Sequence, residues 1–370
     1  MLTPEVLSFD LRKNNMSRYL KSRYLELEVY TPGEQPQDMV YTKLNTNESP
    51  YPAAPQVVAA IGKEEIENLR LYSDPDSKPL VNKLAEVYGV TPNNVFVSNG
   101  SDDILNFAFM AFSGEPAAVM FPDVTYGFYQ VFADLHQITA KVIPVSDDFS
   151  IDYRQYCDQN CMIVLANPNA QVGRALTLQQ MEAIISSNPD HVVLVDEAYV
   201  DFGGESCIPL TAKYDNLLVV QTFSKSRSLA GARLGFAIAS EGLISDLNRI
   251  KYSTNPYNVN RLTMAAGVAA LEADAYYKEN CRKIMEARSF TIAGLEALGF
   301  DVIPSQANFV FASHPQIDGA YLYQELKNRG ILIRHFSSER MRNYNRITIG
   351  TQQQMQLLLN TIKTIMEVTT

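Results

Sequence analysis

Residues 192–199 read VVLVDEAY, four apolar residues followed at once by two carboxylates. A short run that is apolar throughout is typical of a strand buried on both faces of a parallel sheet. Other short strand-like runs, most of them also apolar throughout, alternate with helix-like segments; they are residues 95–98, 118–121, 162–166, 217–222 and 235–239. This alternation predicts an α/β fold with a mainly parallel central sheet.

The pattern changes after Asn255. Helices are predicted over residues 79–88, 104–112, 178–186, 264–271 and 320–328. Beyond residue 255 a long helical stretch is followed by shorter strands, such as 308–312 and 346–350. We therefore predict a large central domain over residues 46–254, and a smaller α+β domain formed by residues 255–370 with an N-terminal arm of residues 1–45.

Composition excludes several classes of protein. The chain has 370 residues, of which 46% are hydrophobic and 19% charged, as expected of a soluble globular protein. A net charge of −10 without a basic block argues against a nucleic-acid surface. No apolar run approaches the ~20 residues that a membrane helix needs, and the N-terminus lacks the apolar centre of a secretion signal. Four irregularly spaced cysteines and four scattered histidines predict reduced thiols, a cytoplasmic location and no metal site.

Polar residues at three predicted strand ends describe one ligand. Residues 95–103, VFVSNGSDD, run from a strand through a glycine turn into a helix start, where free N–H groups and the Ser101 hydroxyl suit a phosphate. Asp196 ends a second strand, and Lys225 follows a third with Arg233 shortly after it. In an open parallel sheet, ligands bind beyond these carboxyl ends.

Each feature alone has a simpler explanation. Ser101 or Asp102 could be an ordinary N-cap, Asp196 could pair with a structural arginine, and Lys225 could be a surface lysine. Together they match the requirements of pyridoxal 5′-phosphate (PLP): a phosphate site, a carboxylate for the pyridine nitrogen and an amine for a Schiff base.

Motifs spread over nearly the whole chain resemble a known family. They are YTPG at residues 30–33, LNTNESP at 44–50, YSDP at 72–75, NGSDD at 99–103, DEAY at 196–199, TFSK at 222–225, ANF at 307–309 and RITIGT at 346–351. The chain is similar to fold-type I PLP-dependent aminotransferases, and most closely resembles the histidinol-phosphate aminotransferase family.

The resemblance implies a role for each matching residue. Lys225 would carry the cofactor as a Schiff base and then act as the base on the substrate's α-carbon. Asp196 would pair with the pyridine nitrogen, and Tyr199 would bond the ring 3-hydroxyl. The residues implied around the phosphate are Gly100, Ser101, Asp102, Thr222, Ser224 and Arg233.

Other implied roles concern the ring, the substrate and a partner subunit. Tyr126 would stack on the pyridine ring, and Tyr72 would reach the phosphate of the neighbouring subunit's cofactor, which implies a homodimer with shared sites. Arg346 would hold the substrate's anionic group, with Arg334 as a second phosphate ligand. Tyr30 and Asn47 would close over the substrate.

The sequence departs from the family pattern at the asparagine loop. Residues 167–173 read NPNAQVG where the family usually has NPNNPTG, so Ala170 replaces the asparagine that contacts the ring 3-hydroxyl. Either Asn167 or Asn169 substitutes for it, or the contact is absent. Residues 350–354 also lack the family's common acidic residue, and residues 226–228 read SRS instead of the more frequent small-aromatic-small sequence.

The reaction implied is transamination between histidinol phosphate and 2-oxoglutarate, giving imidazole acetol phosphate and glutamate in histidine biosynthesis. An aromatic amino-acid aminotransferase and an amino-acid-phosphate decarboxylase are alternatives on the same fold. A non-catalytic regulator with an aminotransferase-like domain is disfavoured, because the arm before Leu44 is short and lacks a basic recognition helix.

Overall fold

A computed structural model describes residues 17–25, 27 and 30–369 of the chain. The predicted N-terminal arm therefore lies partly outside the described residues. The N-terminal stretch, which was predicted not to be a secretion signal, also lies outside them.

A seven-stranded sheet forms the centre of the fold. Its strands, in spatial order, are β2 (Val95–Ser98), β8 (Gly235–Ala239), β7 (Leu217–Thr222), β6 (Val193–Asp196), β5 (Met162–Ala166), β3 (Ala118–Pro122) and β4 (Thr139–Ile143). β8 runs antiparallel to both of its neighbours, and all the other pairs in the sheet are parallel. The predicted α/β fold with a mainly parallel sheet is confirmed.

Successive residues of the central strands are buried on opposite faces of this sheet. In β6, Leu194 packs into one hydrophobic core, whereas Val193 and Val195 pack into another. Both faces therefore exclude water, which is why the strand is apolar at consecutive positions instead of alternating.

Helices cover both the sheet and the C-terminal part of the chain. They are α1 (Pro55–Ala60), α2 (Lys63–Glu67), α3 (Lys78–Tyr88), α4 (Ser101–Phe112), α5 (Phe128–His136), α6 (Leu178–Ser187), α7 (Glu241–Thr254), α8 (Arg261–Glu272), α9 (Asp274–Ala297), α10 (Gly319–Asn328) and α11 (Gln352–Thr369). Local signals set some of the boundaries. The Thr177 hydroxyl accepts a hydrogen bond from the Gln180 N–H, which forms a capping box at the start of α6.

Two smaller sheets are built mainly from the C-terminal part. An antiparallel sheet has the order β12 (Arg334–His335), β13 (Tyr344–Thr348), β10 (Phe309–Ser313) and β9 (Asp301–Ile303). A short parallel pair joins β1 (Thr42–Lys43) to β11 (Ile331–Leu332). The segment before residue 46 thus pairs with the C-terminal part of the chain. The predicted domain boundaries, at residues 45/46 and 254/255, stay a prediction.

Among the described residues, no helix combines the length and the apolar character needed to cross a membrane.

Candidate active site

Three strand ends of the central sheet meet at one cavity. Asp196 ends β6, Thr222 ends β7, and Ser101 begins α4 after the short turn that follows β2. The cavity has a volume of about 330 Å³ and is lined by Thr46, Glu48, Ser101, Asp102, Tyr126, Ala170, Asp196, Ala198, Tyr199, Thr222, Ser224, Lys225, Ala230, Gly231 and Arg233. Its size is within the usual range for small-molecule sites.

The start of α4 offers backbone donors to this cavity. Gly100 occupies the N-cap position with φ 88°, and in the part of the chain that the structure describes no side chain caps the helix. A Cβ atom at residue 100 would lie 2.8 Å from Nη2 of Arg233, so glycine is needed for this close approach. The ordinary N-cap considered for Ser101 or Asp102 is therefore not formed, and the first N–H groups can meet an anion.

Hydroxyl and guanidinium groups surround the same end of the cavity. The Thr222 hydroxyl donates to Oγ of Ser224 at 2.9 Å. Arg233 donates to Asp102 at 2.9 Å and remains about half exposed, with 46% of its side-chain surface accessible. Asp102 also accepts a hydrogen bond from the Tyr126 hydroxyl at 2.8 Å.

Asp196 is buried at the end of β6, with 4% of its surface exposed. Its carboxylate accepts hydrogen bonds from the Tyr129 hydroxyl at 2.9 Å and from the Ala198 N–H at 3.2 Å. Burial raises the pKa of Asp196 to about 6, while these two hydrogen bonds act in the opposite direction. Its partners are therefore a phenol and a backbone amide, not the structural arginine considered above.

Lys225 lies after β7, with its ammonium nitrogen inside the cavity wall. Nζ donates to the carbonyl oxygen of Thr46 at 3.2 Å and lies 5.9 Å from the ring centroid of Tyr199. Burial, followed by the positive charge of Arg346, lowers the pKa of Lys225 to about 8. An amine with this pKa is partly neutral near physiological pH and can act as a nucleophile or base.

The Tyr199 hydroxyl is held by the N-terminal segment. Nδ2 of Asn47 donates to it at 3.0 Å, and Asn47 is 1% exposed. The Thr348 hydroxyl donates to Oδ1 of Asn47 at 3.0 Å, which fixes the orientation of the amide. The amide group of Asn47 is thus bonded to Tyr199 and Thr348, and its predicted closure over the substrate stays a prediction.

Three aromatic rings pack together beside the cavity. Tyr30 stacks on Phe128 with 4.3 Å between ring centroids, and lies 6.2 Å from Tyr126 in a tilted arrangement. The structure thus brings Tyr30 next to Tyr126, which lines the cavity.

The two asparagines of the loop after β5 bond to the backbone, away from the cavity. Asn167 exchanges two hydrogen bonds with Leu176. Asn169 donates to the Val124 carbonyl and accepts from the N–H groups of Gln171 and Val172. Of this loop only Ala170 lines the cavity. Substitution by Asn167 or Asn169 for the usual ring contact therefore has no support from these contacts.

Two arginines from the C-terminal sheet lie beside the site. Arg334 and Arg346 are directly opposite each other on β12 and β13. Both guanidinium carbons lie 5.6 Å from the Phe336 ring centroid. Arg334 donates to the carbonyls of Thr31 and Pro32, and it lines an adjoining cavity of about 420 Å³.

Tyr72 also lies apart from this group. It is 83% exposed and stacks on Tyr257 with 4.7 Å between ring centroids. Its predicted contact involves a second subunit and stays a prediction.

Sequence reasoning missed Tyr129, Thr46 and Thr348. A buried carboxylate at the end of a strand requires a partner, but nothing in the sequence indicates that this partner is Tyr129. Thr46 contributes only its backbone carbonyl to Lys225, so its side chain carries no signal.

The residues around the cavity fit PLP. An uncapped helix start with nearby hydroxyls and Arg233 suits the phosphate group. A buried carboxylate suits a protonated pyridine nitrogen, and a lysine of lowered pKa suits an aldehyde.

Comparisons with known proteins agree with this assignment. Residues 40–362 match the model of the family described as aminotransferase class I and II. A histidinol-phosphate aminotransferase of Brachyspira hyodysenteriae is 48% identical over 95% of this chain and its own full length; one of a Marinomonas species is 49% identical with the same coverage. A crystal structure of the Sinorhizobium meliloti histidinol-phosphate aminotransferase with pyridoxal-5′-phosphate has a TM-score of 0.78 and 24% identity, covering 88% of this chain and 92% of its own, which shows the shared fold. The chain belongs to the aminotransferase class I and II family and is a PLP-dependent aminotransferase.

Proposed function

We propose that the enzyme transfers the amino group of histidinol phosphate to 2-oxoglutarate, giving imidazole acetol phosphate and glutamate in histidine biosynthesis. The observation that carries this proposal is that Arg334 and Arg346 lie directly opposite each other on the neighbouring strands β12 and β13. Like charges directly opposite each other in a sheet are destabilising. An anion with more than one negative charge, such as a phosphate monoester, offsets this repulsion when it binds between them.

The carboxylate that lines the adjoining cavity together with Arg334 is that of Glu34, and it is paired with Lys327. Among the described residues, no carboxylate lies within salt-bridge distance of either Arg334 or Arg346; their hydrogen-bond acceptors are carbonyl oxygens. Desolvation lowers the pKa of Arg346, and the positive charge of Arg334 acts in the same direction. This excess of positive charge favours a phosphorylated donor over a neutral aromatic side chain.

PLP supplies an aldehyde that condenses with amines and a ring that withdraws electrons from the substrate's α-carbon. We assign its phosphate to the start of α4, with the backbone of Gly100, Ser101 and Asp102, the hydroxyls of Ser101, Thr222 and Ser224, and the guanidinium of Arg233 around it. Asp196 would hold a proton on the pyridine nitrogen, and Tyr199 would donate to the ring hydroxyl. Tyr126 would cover one face of the ring.

Lys225 has two tasks in this proposal. It would hold the aldehyde of the cofactor, and its amine would take the proton from the substrate's α-carbon. Its lowered pKa favours both tasks, because the neutral amine is the reactive form.

The arm and a second subunit complete the assignment. Tyr30 covers the substrate from its place beside Tyr126, and Arg334 and Arg346 hold the substrate's phosphate or carboxylate. We propose a cytoplasmic homodimer in which Tyr72 reaches the partner's cofactor phosphate.

Half-reactions monitored through the cofactor's absorbance test this proposal. Histidinol phosphate should remove the resting absorbance of the bound cofactor, and 2-oxoglutarate should restore it. Histidinol, which differs only by the phosphate, is the matched control and should react far more weakly. A preference for phenylalanine or tyrosine, or release of carbon dioxide from an amino-acid phosphate, would instead establish one of the alternative activities.

A further inference from the structure

Gln171 contacts the guanidinium of Arg346 from the loop after β5. Its Oε1 accepts a hydrogen bond from Nη1 of Arg346 at 3.1 Å, and the Ala170 carbonyl accepts from the same nitrogen at 3.0 Å. Because Nη1 carries two hydrogens, these two acceptors use both of them.

The opposite edge of this guanidinium, formed by Nε and Nη2, has few hydrogen-bond acceptors near it. Nε of Arg346 is buried without a hydrogen-bond partner among the described residues, and Nη2 has only the Asn45 carbonyl at 3.5 Å. Nε and Nη2 form a planar fork that matches the two oxygens of a carboxylate or phosphate. The unoccupied edge is therefore the one suited to an anionic ligand.

Aromatic rings and Gln171 constrain the guanidinium in different ways. The guanidinium carbon lies 5.3 Å from the Phe309 ring centroid and 5.6 Å from that of Phe336. These contacts stabilise the cation but do not specify which edge faces the substrate. The two acceptors at Nη1 do specify it.

The amide of Gln171 also leaves the positive charge of Arg346 intact. A carboxylate at residue 171 would make the same hydrogen bond but would neutralise the guanidinium and compete with an incoming anion. A neutral acceptor fixes the orientation of Arg346 without this competition.

We propose that Gln171 is a positioning residue that holds Arg346 by Nη1, so that the Nε–Nη2 edge receives the carboxylate or phosphate of the substrates. This inference rests on the proposed function, in which Arg346 binds the substrate's anionic group.

Two substitutions separate the orientation of Arg346 from its charge. Gln171→Met keeps the length of the side chain but removes the acceptor. It should raise the Kd for an anion roughly threefold to tenfold. Gln171→Glu keeps the acceptor and adds a charge, and should weaken anion binding by about tenfold or more. Gln353→Glu, at an exposed position at the start of α11, makes the same chemical change away from the site and should have no effect.

Calorimetric titration of the holoenzyme with succinate and with inorganic phosphate measures this directly. The expected order of Kd is wild type and Gln353→Glu lowest, then Gln171→Met, then Gln171→Glu. Thermal melting and the cofactor spectrum verify that each variant is folded and loaded. A Kd for Gln171→Met within about twofold of wild type, or a wild-type enzyme that binds neither probe, overturns the proposal. Failure of the proposed function has a different signature, namely intact anion binding without reaction with histidinol phosphate.

Discussion

The side-chain amide of Asn47 donates a hydrogen bond to the hydroxyl of Tyr199 across 3.0 Å. Both residues are buried, and no asparagine of the loop at residues 167–173 turns its side chain toward the cavity. The N-terminal segment thus provides an amide donor to Tyr199, the residue predicted to bond the ring hydroxyl.

Removing this donor should change the titration of the cofactor. Asn47→Ala leaves the Tyr199 hydroxyl without the hydrogen bond that lowers its pKa. We expect the pH midpoint of the cofactor's absorbance to shift and kcat to fall by roughly twofold to tenfold, the effect of one neutral hydrogen bond. Thr348→Val removes only the group that orients Asn47 and should give a smaller change in the same direction. Identical titrations of wild type and Asn47→Ala would contradict this role.

Arg334→Ala should affect phosphorylated substrates selectively. Loss of a charged hydrogen-bond donor to the phosphate should lower kcat/KM for histidinol phosphate by about 10- to 100-fold, with little change for histidinol. Because Arg334 stands opposite Arg346, its removal also relieves repulsion between like charges, and the melting temperature should not fall on this account. Equal losses with both substrates would indicate that Arg334 does not touch the phosphate.

Lys225 should control both cofactor attachment and its pH dependence. With a pKa of about 8, against 10.5 for an ordinary lysine, its neutral fraction rises as the pH increases through about 8 and then levels off. The rate at which the cofactor-free protein recombines covalently with PLP should follow the same curve. A rate that still rises steeply beyond pH 10 would show an unperturbed amine.

A matched pair of lysine variants tests the assignment. Lys225→Ala should abolish the covalent chromophore and lower turnover by roughly 10²- to 10⁴-fold or more. Lys251 is another buried lysine whose pKa is lowered by burial, but it donates to the Pro75 carbonyl and lines a different cavity. Lys251→Met should retain the chromophore.

Asp196 should reduce the stability of the cofactor-free protein at neutral pH. Its pKa is about 6 in the folded chain and 3.8 ordinarily, so the folded state binds more protons between roughly pH 4 and pH 6. Its contribution to stability is therefore lost as the pH rises through about 6. Asp196→Asn removes this penalty, which is on the order of 3 kcal/mol at most, but should abolish turnover.

Denaturant unfolding at pH 7 and at pH 4 checks the sign of this effect. The stability gained by Asp196→Asn should be larger at pH 7 than at pH 4. Asp190→Asn, an exposed control at the end of a helix-to-strand connection, should show no such difference. A gain confined to pH 4 would contradict the raised pKa.

The sequence predicted those strands that are continuous runs of apolar residues. β2, β5, β7 and β8 match the predicted bounds because each is apolar on both faces of the sheet. β4 escaped prediction because it lies at the sheet edge, where its residues are exposed or only partly buried and Lys141 interrupts its apolar run.

Contacts between distant residues could not be predicted in the same way. Tyr129 lies 67 residues before the carboxylate that it bonds, and Asn47 lies 152 residues before Tyr199. A pattern of residue types identifies Asp196 and Tyr199 as needing partners, but only the packing of α5 and of the N-terminal segment determines which residues these are.

Tyr72 should act in the active site of the other subunit. Tyr72 is 83% exposed within one chain, and Tyr19 is exposed to a similar extent, 79%. Unlike Tyr19, Tyr72 stacks on Tyr257 and is the first residue of the YSDP motif, whose resemblance implies a shared site. Tyr72→Ala should weaken PLP binding in the dimer, whereas Tyr19→Ala should not.

Mixing Tyr72→Ala with Lys225→Ala, at a PLP concentration too low to fill sites that lack Tyr72, distinguishes the two possible locations of Tyr72. In a heterodimer of Tyr72→Ala with Lys225→Ala, one site combines Lys225 of the first chain with Tyr72 of the second, so that site is intact if Tyr72 crosses between subunits. Random reassociation makes about half of the dimers mixed, each with one intact site, so activity should recover to about a quarter of the wild-type value. If Tyr72 served its own subunit, every site would lack either Tyr72 or Lys225 and mixing would restore nothing.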